Sequence, residues 1–139
     1  MDAAEIAALN DRIIYEDNHL LVVNKAASEI VQGDKTDHMQ MNEKYKQVLK
    51  EKYQKPGNVF VGVIHRLDRP TTGVIIFAKT SKALARLNDM IKFRKIRKIY
   101  WAVTGEPLSR SEGELVHYMT KNERKNKSKA HPHLVPAHP

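Results

Sequence analysis

The sequence contains no cysteine, which excludes disulfides, thiolate metal sites and cysteine nucleophiles. Long apolar runs are missing as well. The longest clean ones, "VFVGVI" and "VIIFA", fall far short of the roughly 20 residues that cross a bilayer. The first residues, "MDAAEIAALNDR", are acidic where a signal peptide is basic, and they contain no extended apolar core. A cytoplasmic protein without a membrane partner is therefore expected. There is no Gly-rich phosphate loop and no ligand cluster at metal spacing, so neither a cofactor nor a metal is expected.

What the sequence does have is positive charge. Its 139 residues, the length of one ordinary domain, carry 24 Lys and Arg against 16 acids, a formal net charge of +8. Such a surplus suits a polyanionic partner, above all nucleic acid, whose phosphates bind cations largely through counterion release. Hydrophobic residues make up 41%, enough for a modest core.

Periodicity suggests the elements. "RIIYEDNHLLVVNK" reads as strand, turn and strand. "HMQMNEKYKQVLKEKY" places Met41, Tyr45, Val48, Leu49 and Lys52 at helical spacing, with Thr36 or Asp37 as the expected N-cap, and "KPGN" breaks it. Two apolar runs follow, residues 59–64 and 73–78. Ser81 is the expected cap of a helix reaching Lys92, with Leu84, Leu87 and Ile91 inward and a basic end at Lys92, Arg94, Lys95, Arg97 and Lys98. "IYWAVTG" is expected to be a strand. From Lys121 onward there are five Lys or Arg, one acid and three prolines, so residues 120–139 are expected to be a basic loop or disordered tail.

Between the two apolar runs lies "HRLDRPTTG". Pro70, Thr71, Thr72 and Gly73 make its second half turn-like, which puts Asp68 at the end of a buried strand, entering a loop. A strand end is a rigid place to hold a reactive side chain. If strand geometry persists, Arg66 and Asp68 share a face. Taken alone, the segment reads more readily as an ion pair stabilising a turn.

"HRLDRPTTGVIIFAK", "IIYEDNHLLVVNK" and "RKIYWAVTGEP" together, in that order, resemble the RluA-type RNA pseudouridine synthases over residues 13–107. The resemblance implies an α+β fold, a mixed, mainly antiparallel sheet flanked by helices, here incomplete. Residues 1–12 would be an N-terminal extension and residues 13–119 the N-terminal part of the catalytic domain. It implies that Asp68 is the catalytic aspartate, acting on a uridine of ribosomal or transfer RNA as nucleophile or as base. By the same resemblance Tyr100 stacks on the target base, and Arg66 enters the RNA stack when that base leaves. His65 and Arg69 are candidate phosphate contacts.

Two departures stand out. The family's later Gly-Arg-x-His-Gln-Ile-Arg-like segment, whose Arg pairs with the aspartate, has no counterpart here, so this chain alone is expected to be inactive and to self-associate through unpaired sheet edges. The family's Lys-Pro-Ala/Ser-Gly is replaced by Lys25-Ala26-Ala27-Ser28, which relaxes a turn. Two other classes remain open on the residues: a non-catalytic RNA-binding module, and a hydrolase using Glu106 or Glu114 as a second acid or a metal on His65, Asp68 and His117, His131 or His133.

Overall fold

A computed structural model describes residues 1–33 and 39–134. It divides into two compact units, Met1–Lys98 and Ile99–Pro139.

The first unit is built on a four-stranded sheet in the order β1-β2-β4-β3, from β1 (Ile13–Glu16), β2 (Leu20–Lys25), β3 (Gly62–Val63) and β4 (Gly73–Ala78). Every pair is antiparallel, and β2 lies against β4 in unbroken register from Leu20 opposite Ala78 to Lys25 opposite Gly73. Because side chains alternate along a strand, each strand feeds two layers. Leu21, Val23, Ile75 and Phe77 point to one face and are wholly buried with Met41, Tyr45, Val48 and Leu49 of helix α2 (Met41–Tyr53) and Leu9 of helix α1 (Ala3–Asp11). Leu20, Ile76 and Ala78 point the other way and meet Ala83, Leu84 and Leu87 of helix α3 (Ser81–Lys92). Burying each such aliphatic or aromatic side chain is worth about 1.5–3 kcal/mol, so the β2–β4 pair anchors the unit.

Local chemistry sets the helix ends. The residues expected to be only an extension form α1, opened by a capping box in which Asp2 and Glu5 each accept the other's backbone N–H. The caps expected for α2 at Thr36 and Asp37 lie outside the described residues; Gln40 occupies the N-cap position without a side-chain bond. Helix α2 ends as Gln54 turns left-handed, two residues before Pro56. For α3 the cap is Thr80 rather than Ser81: its hydroxyl accepts the Ala83 N–H at 3.1 Å. At the β1–β2 turn, Glu16 accepts bonds from Lys52 and Tyr53 of α2 and from Lys79 beyond β4, which ties both neighbours to that turn.

The second unit differs from expectation in two places. "IYWAVTG" is not a strand: Trp101 and Val103 are fully exposed, and no strand among the described residues pairs with the segment. Alternating β-prone residues supply the pattern, but a strand exists only when a neighbour takes its backbone hydrogen bonds. The basic stretch expected to be loop or disorder instead contains a hairpin, β5 (Tyr118–Asn122) paired with β6 (Lys127–His131). Its turn is built by asparagines. The Asn122 side chain accepts the Arg124 and Lys125 N–H groups, and Asn126 takes the left-handed conformation that asparagine tolerates.

Candidate active site

The β3 ladder stops after two residues, yet the backbone amide of Ile76 on β4 is not left bare. It donates to Nε2 of His65 at 2.9 Å, so an imidazole stands where the next ladder carbonyl would be. Burial, with some help from the Lys98 charge, holds the His65 pKa below its ordinary value. A neutral ring that accepts with Nε2 carries its proton on Nδ1. The period-two argument that put Arg66 and Asp68 on one face does not apply, because the strand ends before them.

Beyond His65, Arg66, Asp68 and Arg69 are exposed, while Leu67 between them packs against the core. Arg66 leans on Gly33, its Nη1 reaching the Gln32 carbonyl at 3.5 Å. Gly33 has φ +85°, a left-handed conformation that favours glycine; a Cβ there would stand 2.8 Å from that nitrogen, so the mobile end of Arg66 would have to shift. Asp68 begins a tight turn: its carbonyl accepts the Thr71 N–H at 2.9 Å. Asp68 is exposed, and among the described residues its carboxylate has no hydrogen-bond or ion-pair partner.

The turn is held from inside by Lys25. This lysine is 1% exposed and stands on the inward face of β2 after Leu21 and Val23. Its ammonium donates to the carbonyls of Ala26 at 3.1 Å, Arg69 at 2.9 Å and Thr71 at 2.6 Å, using all three of its protons. Burial pushes the Lys25 pKa down, and the charges of Glu29 and Asp68 oppose that shift. A buried cation thus sits beneath the exposed carboxylate and fixes the backbone on either side of Pro70.

From the other side, Ser28 brackets Arg69. The Ser28 N–H donates to the Arg69 carbonyl at 2.8 Å, and Arg69 Nε donates to the Ser28 carbonyl at 3.2 Å. Ser28 holds φ +71°, in the left-handed region that favours glycine. His65, Arg66, Asp68 and Arg69 therefore share one continuous segment with Lys25 and Ser28 behind it. Tyr100 belongs to the second unit, where it is exposed. The sequence reading missed Lys25 and Ser28 as parts of the site. A lysine in register with buried Leu21 and Val23 was the signal for the first.

The chain matches the family described as RNA pseudouridylate synthase over residues 19–137, and it belongs to that family. It is 36% identical over 95 residues to the ribosomal large subunit pseudouridine synthase C of Buchnera aphidicola subsp. Acyrthosiphon pisum, covering 68% of this chain and 28% of that protein. The protein of the same name from Vibrio vulnificus is 35% identical over 103 residues, 73% of this chain and 31% of its own length. That of Escherichia coli is 34% identical over 99 residues, 71% of this chain and 29% of its own. The chain thus spans under a third of the length of these relatives. Among solved structures, human RNA pseudouridylate synthase domain containing 4 superposes with a TM-score of 0.56 at 23% identity, over 66% of this chain and 33% of the other, which supports the α+β fold. No helix among the described residues is long and apolar enough to cross a membrane.

Proposed function

We propose that this chain carries the catalytic-aspartate portion of an RNA pseudouridine synthase, working in the cytoplasm on ribosomal or transfer RNA. The observation that carries the reading is Asp68: an exposed carboxylate on a turn pinned by a buried lysine, in a chain of this family. The reaction breaks the bond between C1′ of ribose and N1 of uracil, turns the base, and joins C5 to C1′; the C5 proton is lost and N1 gains one. A fixed carboxylate serves it either by attacking C1′ or by removing a ribose proton in an elimination. In both routes it must be ionised. Lys25 pins the backbone on either side of Pro70, which holds the turn that carries Asp68 in place.

Reaching that bond requires the uridine to leave its helix. Arg66, exposed and planar, is assigned to fill the gap, and Tyr100 to stack on the extruded base. Arg69 keeps part of its guanidinium free beyond Nε and is assigned to phosphate. His65 is a weaker candidate for that role than the sequence suggested, because its Nε2 is occupied by the Ile76 amide. We expect the 139 residues alone to bind RNA weakly and to form no pseudouridine.

Mapping pseudouridine in cellular RNA with and without the gene tests the reading. Loss of one or a few specific sites is the expected result, and an unchanged map contradicts it. An RNA-binding module without catalysis would leave the map intact while RNA binding persisted.

A further inference from the structure

We propose that Arg12 and Glu29 are a positioning pair that fixes the Asp68 turn from behind, so that the reaction rate depends on two residues that touch neither RNA nor the reacting atoms. The inference rests on the synthase reading and extends it. Arg12 closes α1, and its backbone carbonyl accepts the Asn24 N–H at 3.0 Å, so its side chain starts from a point already tied to β2. Its guanidinium grips Glu29 with both terminal nitrogens, Nη2 to Oε2 at 2.7 Å and Nη1 to Oε1. Nη1 also reaches the Asn24 carbonyl at 3.4 Å.

Glu29 has a second task. Oε1 accepts the Ala26 N–H at 2.8 Å, which folds residues 26–29 into a closed ring. Proline at position 26 would have no proton to give, and glycine at position 28 would need no help to turn left-handed. This chain has neither, and the carboxylate supplies the missing constraint by holding both ends of the turn at once. Ser28, at the tip of that ring, is the residue that brackets Arg69. The Arg69 carbonyl then has both lone pairs filled, one by the Ser28 amide at 2.8 Å and one by the Lys25 ammonium at 2.9 Å. Asp68 is the residue immediately before Arg69.

The pair is well placed to act this way. The Arg12 and Glu29 side chains are 27% and 12% exposed, dry enough for the bidentate geometry to hold. Burial alone would raise the Glu29 pKa, but Arg12 and the Ala26 amide outweigh it and keep the carboxyl below its usual range.

The test combines amide hydrogen exchange with single-turnover kinetics on the full-length gene product. In Glu29→Gln, the Ser28 and Thr71 amides should exchange about tenfold faster, while the β2–β4 ladder keeps its protection. The chemical rate should fall by between about 10- and 100-fold with RNA affinity unchanged, as expected when a reacting group is misplaced by a fraction of an ångström. The charge-reversed double variant Arg12→Glu/Glu29→Arg keeps an ion pair but offers the Ala26 N–H no acceptor. It should recover thermal stability without recovering turn protection or rate. Recovery of all three, unchanged exchange at Ser28 and Thr71 in Glu29→Gln, or loosening of the ladder to the same degree would each overturn the proposal and reduce the pair to a stabilising bridge. If the wild-type protein forms no pseudouridine, the synthase reading fails by itself, and the exchange data still decide whether the pair holds the turn.

Discussion

The two compact units obey different rules. In Met1–Lys98 the sheet is covered on both faces, and all the buried side chains among the described residues are found there. In Ile99–Pro139 no described residue is buried, although Trp101, Val103 and Leu115 are as apolar as anything in the first unit. The lesson is that apolar pattern and structure are separable. Leu21 and Trp101 both sit in β-prone runs, and only Leu21 has neighbours on both strands and a helix above it. The second unit's hairpin persists on ladder bonds and two asparagines without a core, which is the lower limit of what a two-stranded ribbon sustains.

The sharpest way to break this comparison is to remove equivalent bulk from each side. Phe77→Ala should cost about 3–5 kcal/mol, because a wholly buried ring leaves a cavity against Tyr45 and Ile75. Trp101→Ala, measured in the same denaturant titration of this chain, should change stability by less than about 0.5 kcal/mol. Equal costs would mean that Trp101 is packed in solution.

Lys25→Met is the next largest. Methionine fills the space but donates nothing, so the Ala26, Arg69 and Thr71 carbonyls lose a partner each, at about 2–4 kcal/mol in total. An urea midpoint unchanged by this substitution would refute the clamp.

The ring of His65 gives a pH test of the first unit alone. Its pKa is lowered in the folded state, so the unfolded chain binds the extra proton more readily. Its contribution is therefore fully present above about 6.5 and is lost as pH falls from there through the folded value. Melting temperature should drop between pH 7.5 and 5.5 more in the wild type than in His65→Gln, and NMR titration of the imidazole should give a value below 6.5.

The smallest effect is expected at Ser28. With φ +71° it bears a left-handed cost that glycine escapes, so Ser28→Gly should stabilise by up to about 1 kcal/mol, seen as a small rise in melting temperature. A loss of stability would mean that the serine side chain matters more than its backbone.

Much of the first unit was legible because period and element agree there. Alternation in Leu20 to Lys25 and in Gly73 to Ala78, and the helical spacing from Met41 and from Leu84, each match a layer that exists. What escaped was set by partners distant in sequence. Residues 59–64 look like a full strand, yet only Gly62 and Val63 pair, because the His65 imidazole takes the next amide. Capping made a helix of an apparent extension, and nothing in the composition of residues 120–134 announced that Asn122 and Asn126 would turn it back on itself. At the site, "HRLDR" drew attention to itself, whereas Lys25 and Ser28 act through backbone carbonyls and amides, which leave little trace in a residue pattern.

Asp68→Asn in the full-length gene product tests the central claim most directly. Asparagine keeps the size and the turn but removes the charge. Single-turnover pseudouridine formation should fall by at least about 10²–10⁴-fold, while RNA binding and the protection of the Thr71 amide stay at wild-type levels. A variant that still forms pseudouridine at a comparable rate would contradict the assignment of Asp68 as the reacting carboxylate.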